Sequence, residues 1–266
     1  MSQNPNPPHT LDLPCRYYRV YTGFEVPCEE RNFGFVERRL AVPVDQAALV
    51  LVDVWATHYI DSWLERARTV TREKLVPVLN AARKARMTVI HAPSPWVVER
   101  HHPEAMPLAP PPKTAAPDPW PPLAFRGIYR SGEHAAFGRD QEPRLPGVYA
   151  RYETELKIAD PAAPLPGEPV IATGDQLHAE LTRRRILHLV YLGFATNWCV
   201  IGRDYGMIAM NDRGYNLILV RDATTGVEFH DTVASLTATE IAVREIETKY
   251  AWSTTSDDFV AACAPA

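Results

Sequence analysis

Along this chain the spacing of apolar residues alternates between two patterns. From 47 to 55, AALVLVDVW is an almost unbroken apolar run ending around Asp53, the pattern of a parallel strand buried on both faces. The following LERARTVTREKLVPVLNAARKARM switches to helical spacing, with Val70, Leu75, Val78, Leu79 and Ala82 on one side. TVIHAP (88–93) predicts a second strand ending in His91, EPVIAT (168–173) a third, and GDQLHAELTRRR a short helix. ILHLVYLGF (186–194) is the strongest strand pattern in the chain. NWCVIGRDYGMIAMNDRGY then predicts a helix stopped by Gly214, just past its last turn. NLILVRDA (216–223) predicts a strand, and TVASLTATEIAVREIETKY (232–250) a long helix with Val233, Leu236, Ile241 and Ile246 facing inward.

Strands alternating with helices at this spacing imply βαβ units, right-handed crossovers and a parallel sheet. Before this pattern begins, Cys15 to Val44 carries aromatic and β-branched residues punctuated by Gly and Pro, which predicts short strands or a hairpin added to the body. Residues 1–10 read as a disordered tail. The chain's 25 prolines are concentrated between Pro93 and Pro122. Proline fixes φ and removes a backbone donor, so this run is neither a regular helix nor a central strand. Trp96, Trp120 and Phe125 within and beside it suggest an ordered excursion. The expected organisation is a tail and β arm over 1–44, followed by one α/β domain over 45–266 that carries a proline-rich insertion at about 93–166.

Composition narrows the function classes. The 266 residues suffice for one large buried core, and the net charge of -4 gives no reason to expect nucleic acid or an anionic membrane as partner. No apolar run approaches the ~18 residues of a membrane span, and MSQNPNPPHT lacks the basic and apolar regions of a secretory signal. Cys15, Cys28, Cys199 and Cys263 show no CxxC spacing, which suits free thiols in a reducing, cytoplasmic setting.

In parallel sheets, ligands bind outside the carboxyl ends of the strands. Asp53, His91, Thr173, Ala195 with Cys199, and Asp222 all fall at or just past predicted strand ends. Cys199 stands about two residues inside a predicted helix, where unpaired amides and the helix dipole favour a thiolate. The same amides could hold an oxyanion, and Asp53 could serve as base for the thiol and later for water. Trp55 and Trp198 flank these two residues and could wall a flat or apolar acyl group. His91 is a candidate to hydrogen-bond the substrate.

LVDVW, then Gly193, Thr196, Cys199 and Val200 in a G-x-x-T-x-x-C-V element, and then GYNLILVRDA together resemble the isochorismatase-like cysteine hydrolases, which include nicotinamidases and N-carbamoylsarcosine amidase. The similarity runs from about 47 to 250, interrupted by the proline-rich insertion. It implies a three-layer α/β/α fold with a mostly parallel central sheet. It also implies Cys199 as nucleophile, Asp53 as its acid/base, a cis peptide before Ala195, and an oxyanion hole formed by the Ala195 and Cys199 amides. The implied reaction is hydrolysis of a small amide, ureido or related C–N bond through an acyl-enzyme, by a protein that associates with copies of itself.

Several residues depart from that pattern. Thr173 stands where the family carries a catalytic lysine, Trp55 where glutamine is common, and Arg203 and Tyr205 where small or acidic residues are usual. Without the lysine, Cys199 is harder to ionise; Arg126, Lys113 and Lys157 are candidate replacement cations, with Arg126 preferred. Nicotinamidases can bind a divalent metal through an Asp-x-His pair, but His58 and Asp61 run in the opposite order, and neither metal nor cofactor is expected. Two other readings fit the departures: a hydrolase fold retained for binding without catalysis, and an isochorismate-type vinyl ether hydrolase, which needs an acid more than a nucleophile.

Overall fold

The N-terminal arm is a hairpin: β1 (Thr10–Arg19) and β2 (Gly34–Pro43) pair antiparallel along their whole lengths. Then come β3 (Ala47–Val52), α1 (Asp61–Val70), one π-helical turn (Thr71–Leu75), α2 (Val76–Lys84), β4 (Thr88–Ala92) and α3 (Pro95–His101). α4 (Leu145–Glu155) is followed by α5 (Gly174–Arg184), β5 (His188–Phe194), a second π-helical turn (Thr196–Val200), α6 (Met207–Asp212) and β6 (Asn216–Thr225). α7 (Thr237–Lys249), β7 (Trp252–Thr254) and α8 (Ser256–Ala262) complete the chain. This computed structural model describes residues 9–106 and 120–264. Residues 1–8 of the expected tail, and Lys113 with residues 107–119 of the proline-rich run, lie outside them.

The chain divides into two compact units, Met1–Met106 with Lys157–Ala266, and Pro107–Leu156. In the larger unit the seven strands form one sheet in the order β2-β1-β7-β6-β5-β3-β4. β3 to β7 run parallel, and the hairpin joins them antiparallel through Arg16 opposite Ser253. Every residue of β3 is buried, as its unbroken apolar run requires. Val50 and Val52 face a core completed by Leu177 and Leu181 of α5, Met207 and Met210 of α6, and Val243 and Ile246 of α7. The alternate residues Leu49 and Leu51 are equally buried and face the opposite layer, where α2 packs with α8. The fold is thus the expected three-layer α/β arrangement. Among the described residues no helix is long and apolar enough to cross a membrane.

In the smaller unit, Leu123–Phe125 and Gly132–Phe137 form short 3-10 turns. The Arg130 guanidinium lies 4.4 Å from the Phe125 ring centroid.

Four expectations require correction. EPVIAT forms only a bridge beside β4, with Val170 opposite His91, because Pro169 offers a carbonyl but no donor and Thr173 turns away to start α5. The helix expected over 197–215 breaks: the chain leaves the helical turn, passes through Arg203–Tyr205, and restarts at Met207. Gly206 permits this crossing, since a Cβ there would lie 2.8 Å from the Ile201 carbonyl oxygen. The last long helix starts at Thr237, not 232, because Leu236 adopts φ 56° and Glu228 accepts the Ala238 and Thr239 amides. Its inward side chains include Ala238, Ala242, Val243 and Ile246, whereas Val233 and Ile241 are 45% and 62% exposed. Finally, Asp222 lies within β6, not at its end, and accepts the Ser256 amide and hydroxyl at the start of α8.

Candidate active site

β3 and β5 are neighbours, and Gly193 lies opposite Val52. Gly193 has φ 114°, and a Cβ there would lie 2.0 Å from the Val52 carbonyl oxygen. Only glycine lets the two strand ends approach this closely. The next residue along β3 is Asp53, buried to 2% exposure and held at φ 44° while its amide donates to the Ala92 carbonyl. A left-handed aspartate is an uncommon conformation that the surrounding sheet must hold in place.

On the β5 side the Phe194–Ala195 peptide is cis, as the resemblance implies. The π-helical turn Thr196–Val200 then carries Cys199. This turn is tied to the end of β6. Thr196 and Thr224 share a hydroxyl hydrogen bond of 2.7 Å, and the Asn197 amide both accepts from the Val227 N–H and donates to its carbonyl, each at 2.9 Å. Since the helix does not continue, Cys199 lacks the extended helix dipole expected from its sequence.

The cation beside this pair is Arg203. Its Nε and Nη2 donate to Asp53 Oδ2 at 3.2 and 3.1 Å. The loop that carries it is pinned at several points. Tyr191 Oη donates to the Tyr205 carbonyl at 2.8 Å, Tyr205 Oη donates to the Pro93 carbonyl at 3.0 Å, and the Gly174 amide donates to Asp204 Oδ2 at 2.7 Å. A Cβ on Gly174 would lie 2.0 Å from the Asp204 carbonyl oxygen. The Arg203 loop therefore packs on the start of α5, one residue from Thr173. Sequence reasoning misses Arg203 as a functional residue because the unbroken helical pattern puts it on a continuing helix. Its position four residues after Cys199, one turn away, is the signal that points to it.

The electrostatics follow from burial and this one cation. Burial raises Asp53 above the ordinary carboxylate range, while Arg203, the Cys199 thiol and the Trp55 indole favour its charged form. Burial, together with the Asp53 charge, pushes the Cys199 thiol up to about 12; Arg203 and the Ala195 amide oppose this. At neutral pH Cys199 is therefore a thiol, not a preformed thiolate, with the Asp53 carboxyl group beside it.

The other sequence candidates divide. Trp55 is half-buried, pairs through its backbone with Ile158 and stacks on His58, with ring centroids 6.0 Å apart. Trp198, on the nucleophile's own turn, is 46% exposed. His91 is directed elsewhere: its Nε2 meets Glu168 Oε2 at 2.8 Å, and Glu168 also accepts from Arg83 Nε at 2.7 Å. Arg126 belongs to the smaller unit, where its Nε donates to the Pro121 carbonyl at 2.7 Å. Lys157 pairs with Asp160 at 2.7 Å. Thr173 is the N-cap of α5, with its hydroxyl accepting from the Gln176 amide at 3.2 Å while Gln176 Oε1 accepts from the Thr173 amide at 3.1 Å. Thr173→Ala is expected to lower unfolding free energy by about 1 kcal/mol through loss of this capping box, as measured by denaturant melts.

His58 is buried against Trp55, Tyr59 and Trp63, its Nδ1 accepts from the Ile60 amide, and no group of three potential metal ligands occurs among the described residues.

The Glu168 cluster makes the fold acid-sensitive. Burial alone would raise Glu168, but Arg83, the Leu165 amide and His91 outweigh it and hold the carboxyl at about 2, against 4.5 ordinarily. Burial lowers His91 from its ordinary 6.5. Both groups bind protons more readily in the unfolded chain, so their stabilisation is full at neutral pH. It falls as pH drops below about 6.5 for His91, and between about 4.5 and 2 for Glu168. Glu168→Gln is expected to cost about 1–3 kcal/mol at pH 7 and to flatten the acid limb below pH ~5. Chemical denaturation across a pH series measures both.

Comparison with known proteins matches residues 47–258 to the model of the Isochorismatase domain. A cysteine hydrolase from Pseudomonas syringae pv. phaseolicola is 14% identical, aligns over 84% of this chain and 94% of its own, and superposes with a TM-score of 0.53. An isochorismatase from Pseudomonas putida is 17% identical over 80% of this chain and 90% of its own, with a TM-score of 0.48. A nicotinamidase from Staphylococcus aureus is 12% identical over 76% and 94%, with a TM-score of 0.41. At these identities the first of these structures speaks for the fold alone, and the other two add no argument. No curated relative matches the chain.

Proposed function

Because the chain belongs to the isochorismatase family of hydrolases, we propose that it hydrolyses a small amide, ureido or related C–N bond through a covalent intermediate on Cys199. The observation that carries this reading is the placement of Cys199, Asp53 and Arg203: a buried carboxylate held by one guanidinium at the end of β3, with the thiol on the turn that follows the neighbouring β5.

In the proposed sequence, Asp53 takes the thiol proton as sulfur attacks the carbonyl carbon. The oxyanion that forms is held by the Ala195 and Cys199 amides. Collapse of the tetrahedral adduct expels the amine, which receives the proton from Asp53, and leaves a thioester. Asp53 then deprotonates water for attack on the thioester, and the departing sulfur recovers that proton. Arg203 has two effects. It favours the ionised form of Asp53 against burial, and it offsets the negative charge that passes between carboxylate and sulfur. Trp55 and Trp198 form apolar walls for a flat acyl group.

The first test works with the substrate still unidentified. Iodoacetamide labelling across pH, with the adducts located by mass spectrometry, is expected to modify Cys199 faster than buried Cys15 and Cys263. Equal rates would remove the nucleophile from the scheme. A panel of small amides and carbamoyl compounds, followed by ammonia release, then defines the substrate class.

A further inference from the structure

A cleft of about 410 Å³ lies next to the residues that follow Asp53, within the size range of small-molecule sites. One wall is a short ladder in which the Ala56 amide donates to the Lys157 carbonyl at 2.9 Å and the Ala159 amide to the Val54 carbonyl at 2.8 Å, with Trp55 opposite Ile158. The facing wall is the end of α1 and the π-helical turn, which contribute Arg68, Thr71 and Arg72, continued by Val76. Single π-helical turns recur at functional sites.

The charges along this cleft are unevenly matched. Asp160 is paired with Lys157 at 2.7 Å, and Arg72 with Glu73 at 2.9 Å. Arg68 donates to the Ala56 carbonyl at 3.1 Å and has no carboxylate partner among the described residues. The cleft is otherwise apolar, with Trp55, Val76 and Pro161 providing flat and aliphatic surface. A positively charged end beside an aromatic wall is complementary to an anion carried on a ring. Asp53 and Cys199 do not line it, and Trp55 is the residue it shares with the candidate active site.

We propose that this cleft binds a small aromatic carboxylate, with its ring against Trp55 and its carboxylate on Arg68. Trp55 connects this site to the chemistry, since it follows Asp53 by two residues on the same segment and is fixed there by its bridge to Ile158. Occupancy therefore changes the reactivity of Cys199, a consequence that rests on the function proposed above. The binding itself does not.

Calorimetric titration of the full chain with 2-naphthoate, and with the uncharged 2-naphthalenemethanol, tests the site. The carboxylate is expected to bind about tenfold or more tightly than the alcohol, as one charge-assisted contact allows. Arg68→Ala should remove that preference, whereas Cys199→Ala should keep it. Equal affinities, or a carboxylate preference that survives Arg68→Ala, would overturn the proposal. Saturating 2-naphthoate should also change the iodoacetamide rate at Cys199 in the wild type but not in Arg68→Ala, and an unchanged wild-type rate removes the coupling. A Cys199 that is unreactive even without ligand would refute the proposed function, while the titrations still decide whether the cleft binds.

Discussion

Cys199→Ala is expected to abolish turnover, by a factor of roughly a thousand or more, on any substrate the protein cleaves. The reason is specific to a covalent route: without sulfur there is no thioester, and Asp53 alone can only activate water against an unactivated amide. The same variant should fold normally. Cys199 is partly buried, carries no side-chain role in the ladders that hold the turn, and alanine keeps its Cβ. Thermal melts close to wild type, combined with loss of the iodoacetamide adduct and of ammonia release, are the expected pattern. Turnover that survives the substitution would end the covalent scheme and favour a general-acid reaction on the same scaffold, in which Asp53 acts without a nucleophile.

Arg203→Ala is the second large effect, expected to slow Cys199 chemistry by about 100-fold or more. Arg203 favours the ionised forms of both Asp53 and Cys199, so its removal raises both groups. The base then stays protonated to higher pH, and the rise of the alkylation rate shifts toward alkaline pH. The direction follows because a raised pKa delays loss of the proton that Asp53 must give up before it can accept one from sulfur. Folding should suffer less than activity. A buried carboxylate that loses its partner avoids an uncompensated charge by holding its proton. Arg203→Lys keeps the charge but lacks the fork that brings two N–H groups to one oxygen, so it should restore part of the rate and part of the shift. Superimposable pH profiles for wild type and Arg203→Ala would mean that Asp53 and Cys199 do not depend on this cation.

The two effects differ in how readily the sequence gives them up. Asp53 is legible because it closes a buried apolar run, and Cys199 because it follows one by a few residues, since the ends of parallel strands collect on one edge of a sheet; the resemblance to a family motif gives both their roles. Gly193 and Thr196 sit beside them in a recognisable element. Arg203 is not legible as a partner of Asp53, since 150 residues separate them along the chain and the apolar periodicity of 197–215 continues straight through it. The break at Gly206 depends on a close backbone approach, visible only as the contact between a would-be Cβ and the Ile201 carbonyl. Ile241 escapes the pattern for a related reason. Helical spacing identifies a stripe of apolar residues, but the inner face of α7 is built from Ala238, Ala242, Val243 and Ile246, and Ile241 is left outside.

The sequence by itself determined the alternation of strands with helices and the mostly parallel character of the sheet, because these rest on local periodicity, and it pointed to the two residues proposed to exchange a proton through their resemblance to a family motif. The tertiary structure decided which charges meet. It sent His91 to Glu168, used Thr173 as a helix cap, and brought Arg203 to Asp53. Pairing of this kind depends on loop paths, and loop paths are set by packing between distant segments, such as Gly174 against Asp204, that leave no periodic trace in the chain.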